Sequence, residues 1–120
     1  MVQENIAQLS QDCQGWRAHL RQLRDEFNTD EIKIREVAGK SLTKEELVAV
    51  EHLHNQFHIQ LINIHDLKHS LKTQEQLLND SEVSDEVIQK QDQLKEEYTS
   101  LVQTLELLRS EFKSFLAALN

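Results

Sequence analysis

An apolar side chain every three or four positions, held from near the first residue to near the last, constrains this chain more than anything else in it. Val2, Ile6, Leu9, Cys13, Trp16, Leu20, Leu23, Phe27, Asp30, Ile34 and Val37 alternate in steps of four and three, and ten of these eleven are apolar. A 3.5-residue period places all of them along one face of an α-helix, whereas a strand repeats every two residues. The 120 residues include no proline and only two glycines, so the usual interior breakers are almost absent. Helices are therefore expected throughout, meeting at the shallow crossing angles of coiled-coil-like packing.

The breaks in that rhythm divide the chain. Gly39 suits a left-handed position just past a helix end, and Lys40 follows it. Thr43 and Glu46 then match a capping box, with Leu42 and Leu47 placed as a hydrophobic staple, so a second helix should begin at Lys44. Asn79-Asp80-Ser81-Glu82 reads as a short turn with an N-cap at Asp80 or Ser81, and Ser84 is a rival start. Within the first segment, Asn28-Thr29-Asp30 is a candidate break, because Asp30 is the one polar residue of the seam.

The expected fold class is all-α, an elongated up-down-up bundle of three long antiparallel helices at about 3–38, 44–78 and 82–119, forming one domain. Helices of roughly 36 residues would each span about 54 Å, and connections this short make neighbours antiparallel. The third seam, Val87, Gln91, Leu94, Tyr98, Leu101, Leu105, Leu108, Phe112, Phe115 and Leu119, has nine apolar positions in ten. The second, Leu47, Val50, His54, Phe57, Leu61, Ile64, Lys68, Leu71, Glu75 and Leu78, has seven. Val48, Ile59, Ile62, Leu67 and Leu77 fall outside it, as expected of a central helix or an oligomer interface, and the second helix should be the most buried. Lys68 and Glu75 are expected to snorkel or to sit at the open side of the bundle.

Five of the six histidines crowd into residues 52–69. On a helix His54, His58, His65 and His69 fall within about 60° of arc, bordering the apolar seam, while His52 points away. His54/His58 and His65/His69 have the i,i+4 spacing at which two imidazoles can share a zinc, nickel or copper ion, and a twofold axis could supply the remaining ligands. Glu51-x-x-His54 matches half of a di-iron motif whose second half is missing. Two other readings stand beside the metal site: the histidines line the wet edge of a helix interface, or they form a pH-responsive one that gathers charge as pH falls through about 6.5.

Composition narrows the function. Thirteen basic and 21 acidic residues give a net charge of -8, which disfavours nucleic-acid binding. The opening residues lack a signal peptide's basic and apolar regions, and no stretch approaches the length of a membrane span, so no membrane role and a cytoplasmic location are expected. Cys13 is the only cysteine, which excludes an internal disulfide. No glycine-rich phosphate loop or nucleophile elbow is present, and Cys13 and His19 should lie on different helix faces, so an enzyme is not expected. Trp16 is read as a core anchor, and the run from Lys90 to Glu97 as a solvated face. No cofactor is expected in this reading. Its partners are a second copy of the chain, in a homodimer, or another protein.

Asn55-Gln56-Phe57-His58-Ile59-Gln60, followed by Leu67-Lys68-His69 and preceded by Trp16 and Leu20, resembles a pattern in short, uncharacterised all-helical proteins of Bacteroidetes-type bacteria. There an Asn-Gln-Phe-x-x-Gln segment precedes Leu-Arg/Lys-His-Asp, and Ser70 stands here in place of the closing acid. The resemblance implies a helical bundle without a known activity, and it singles out Asn55, Gln56, Gln60 and His69 as a shared polar interface. His54, His58 and His65 are not part of it. The three-helix plan with a tryptophan in its first helix also looks like a spectrin-type repeat, a likeness of architecture alone.

Overall fold

The computed structural model describes residues 2–80 and 82–119, excepting the side chains of residues 2–5. Three helices account for nearly all of it: α1, Val2–Ala38; α2, Lys44–Leu78; and α3, Asp85–Ala118. They run up, down and up in a rod whose Cα extents are 60 × 17 × 17 Å, close to the length that one helix of this size spans at 1.5 Å per residue. No strand occurs among the described residues, and none of the helices is long and apolar enough to cross a membrane.

Local chemistry sets the ends. At α2 both halves of the capping box form: the Glu46 N–H donates to Thr43 Oγ1 at 3.1 Å, and the Thr43 N–H donates to Glu46 Oε1 at 2.8 Å. Leu42 packs against the core, whereas Leu47 stays exposed. The start of α3 is the rival one. Ser84 is its N-cap, accepting from the Val87 N–H at 3.3 Å, and Asp85 and Glu86 place negative charge on the first turn. Residue 82 is thus in the connection, with Val83 half-buried against the core, while the Ser81 alternative lies outside the described residues. Gly39 departs from expectation, since no glycine has a positive φ. Its N–H is shared between the Arg35 and Glu36 carbonyls at 3.2 Å, and Lys40 N–H donates to Val37 O, so α1 ends by tightening its last turn.

Helix α1 does not break at Asn28–Asp30. Asp30 keeps its seam position because Arg109 of α3 grips it with two hydrogen bonds, Nε to Oδ2 at 2.6 Å and Nη2 to Oδ1 at 3.2 Å, and also reaches Glu26 at 3.3 Å. The carboxylate is satisfied across the bundle, so the chain has no reason to turn it out to water.

The seams of α1 and α3 pack as the sequence pattern predicts; Val2 lies outside the described side chains. Every seam position of α3 is buried or half-buried, and Phe27, Phe57 and Phe112 form one layer with centroids 4.7 and 5.4 Å apart. In α2 the seam must be corrected. The line Val50, Phe57, Ile64, Leu71, Leu78 is buried as expected, and Leu61 is half-buried against the core, but Leu53, Gln60, Leu67 and Gln74 are enclosed beside it while His54 is exposed and Lys68 half-buried; Glu75, expected to snorkel or to sit at the open side, is instead buried. The physical reason is that α2 packs against two helices. Its three-residue companions turn towards α3, and its four-residue companions lie over α1, where His54 meets Glu31 and Glu75 is paired with Arg17. As expected, α2 contributes more buried side chains than α3, including Leu67.

Candidate functional site

The outward side of α2 is built by heptad spacing. Residues seven apart share a line along a helix, and Val48, Asn55, Ile62 and His69 form the line furthest from the core, all four exposed. Beside it towards α3 run His52, Ile59 and Asp66, and towards α1 run Glu51, His58 and His65, again all exposed. Val48, Ile59 and Ile62 keep 61, 45 and 48% of their surface in solvent, so this face offers apolar contact with imidazole and amide groups around it.

The structure separates the four polar candidates Asn55, Gln56, Gln60 and His69. Asn55 and His69 belong to the outermost line; Gln56 is half-buried; Gln60 is buried, and its Oε1 accepts from Asn63 Nδ2 at 3.2 Å. The histidines of the metal reading, His54, His58, His65 and His69, are exposed rather than half-buried at the seam border. The register of α2 explains this, since Leu53, not His54, takes the core position. His54 Nε2 lies 3.3 Å from Glu31 Oε1, and His52 Nε2 lies 3.5 Å from Glu111 Oε1. Among the described residues no group of three or more His, Cys, Asp and Glu is placed to hold a metal ion.

A second constellation sits inside the bundle. Gln91 of α3, 3% exposed, donates to Leu9 O of α1 at 3.0 Å, while its Oε1 accepts from Gln74 Nε2 of α2 at 3.1 Å and from Cys13 Sγ of α1 at 3.4 Å. Gln74 also donates to Val87 O at 2.8 Å. Nearby, Trp16 stacks on Tyr98 at 5.4 Å, and Tyr98 is hydrogen-bonded to His19 Nδ1. Burial pushes the Cys13 thiol above its ordinary range against the pull of the Gln91 hydrogen bond, and burial likewise raises Tyr98. Burial lowers Lys68, with Arg24, Arg21 and Arg17 adding repulsion, and the hydrogen bond to Asp30 raises Arg109. Gln91, the one polar position of the third seam, is the signal by which the sequence could have revealed this layer; Gln74 lies off the expected second seam and carries no such signal.

Compared with models of protein families, with curated proteins and with solved structures, the chain matches none.

Proposed function

We propose that this chain is a non-enzymatic helical-bundle module of the cytoplasm that acts through protein–protein contact, pairing with a second copy along the outward line Val48, Asn55, Ile62 and His69 of α2. The observation that carries the reading is the exposure of Val48, Ile59 and Ile62 on the outer side of a single helix. Large aliphatic side chains held out in water gain by being covered, at about 25 cal/mol for each Å² removed from solvent. Charge supports a second copy as the cover. The chain carries a net -8, yet residues 52–65 contain no Asp, Glu, Lys or Arg, so two copies meet here without facing carboxylates. A twofold axis across α2 sets this line against itself in the antiparallel sense. The reactive side chains point the other way: Cys13 is enclosed and bonded to Gln91, and His19 is occupied by Tyr98.

Sedimentation velocity over a dilution series tests this reading. The native chain should shift from dimer to monomer on dilution. Ile62→Asp, a change at an exposed site that leaves the core intact, should raise the dissociation constant by about tenfold or more. A dilution curve that Ile62→Asp leaves unmoved would remove the line from the interface.

A further inference from the structure

Between α2 and α3 lies an open groove of about 620 Å³ that shares no residue with the outward line of α2. Leu67 and Leu101 supply its apolar lining, and Asp66, Glu96 and Glu97 supply three carboxylates; the remaining lining groups are amides and hydroxyls, with no basic side chain among them. The groove continues beyond the acids. One heptad before Asp66 on α2 is Ile59, 45% exposed, and one heptad after Ser100 on α3 is Leu107, 73% exposed and the most exposed large apolar residue described. The His52–Glu111 contact sets the antiparallel register, so residue 59 lies opposite about residue 104, one turn from Leu107. The furrow therefore has an apolar end, at Ile59 and Leu107, and an acidic end, at Asp66, Glu96 and Glu97. From Ile59 to Ser70 it follows α2 for about 17 Å, or about three turns.

We propose that this groove docks an amphipathic helix of a partner protein, with apolar side chains at one end and two or three lysines or arginines at the other. Charge complementarity selects that occupant. An acidic helix would meet three carboxylates with no base in the groove's lining to answer them, whereas lysines over Asp66, Glu96 and Glu97 replace repulsion by attraction. A helix also matches the furrow in length and can lay its i, i+3, i+4 and i+7 side chains on Leu67, Leu101, Ile59 and Leu107. This goes beyond the self-association reading and does not rest on it; Ile59 borders both surfaces, and Leu107 belongs to the groove alone.

The probe is a fluorescent synthetic helix of about four turns, with leucines on one face of its first half and three lysines on the same face of its second. A counterpart carries glutamates in place of the lysines. Binding is read by anisotropy at low salt. The native chain should bind the lysine helix and not its counterpart. Asp66→Asn/Glu96→Gln/Glu97→Gln should bind about tenfold more weakly, the order expected of three exposed ion pairs. Leu107→Asp should also weaken binding while leaving the self-association dilution curve unchanged. Glu36→Gln/Glu45→Gln/Glu51→Gln, with the same change in net charge, should bind as the native chain does. Equal losses in the two triple variants would reduce the effect to general attraction by an acidic protein and overturn the proposal. It would be overturned equally by groove variants that keep full affinity, or by variants that abolish self-association, since the occupant would then be a second copy.

Discussion

A buried glutamine is tolerated in this core because both the nitrogen and the oxygen of its amide are hydrogen-bonded. Gln91 meets the Leu9 carbonyl, Gln74 and Cys13, and so joins all three helices at one level. Each such hydrogen bond contributes only about 0.5–1.5 kcal/mol net, but leaving a buried partner unmet costs about 1–3 kcal/mol, so the layer works mainly by penalising other registers. Gln91→Leu should therefore destabilise the chain by about 1–3 kcal/mol in urea unfolding, and Gln74→Leu by a similar amount. The double variant Gln74→Leu/Gln91→Leu should cost clearly less than the sum, because it removes donor and acceptor together. Strict additivity would mean that the two amides do not act as a unit. Half of this layer was legible in the sequence: Gln91 interrupts a seam that is otherwise apolar, and such an interruption needs a partner. Gln74 was hidden because neighbouring Glu75 fitted the assumed seam equally well.

At the scale of the element, α1 and α3 were legible because each has one apolar line of buried positions. Helix α2 was ambiguous for a reason present in its residues. Starting from Val50, Phe57, Ile64 and Leu71, the companion three residues on is Leu53, Gln60, Leu67 and Gln74, and four residues on it is His54, Leu61, Lys68 and Glu75. Apolar residues occur in both sets, and only the placement of α1 and α3 decides that the first is enclosed throughout while the second is buried only at Glu75. The same distinction moved the histidines from the seam border to the surface. The end of α2's cap was fully local and therefore readable, while the start of α3 turned on a choice between serines. Helix α1 also carries a local defect with a measurable consequence. Gly15 lies in its interior, exposed, and a Cβ added there meets nothing within 4 Å. Gly15→Ala should stabilise the chain by about 0.5–1 kcal/mol, read as a higher urea midpoint with an unchanged slope. A lower midpoint would show that the site needs the glycine for a reason other than helix propensity.

The whole molecule is a rod, 60 Å long and 17 Å across its Cα positions, that exposes much of its surface for its 120 residues. Two regions of that surface differ from the rest: the outer face of α2, free of formal charge from residue 52 to 65, and the groove where carboxylates meet leucines. The first was partly legible, since Asn55, His69 and the off-seam isoleucines belong to one face of one helix. Gln56 and Gln60 were grouped with them because neighbours in sequence look like neighbours on a surface, which a helix does not respect. The groove was not legible, because Asp66 and Glu96 come together only through the packing of α2 on α3. At this scale the proposal is that a second copy covers the uncharged face of α2. Its most direct test is the mass of the native chain in solution by light scattering, followed upwards through the micromolar range. The mass should rise from the monomer's 14.0 kDa towards twice that value. A mass of 14.0 kDa at every concentration up to the high micromolar would contradict it.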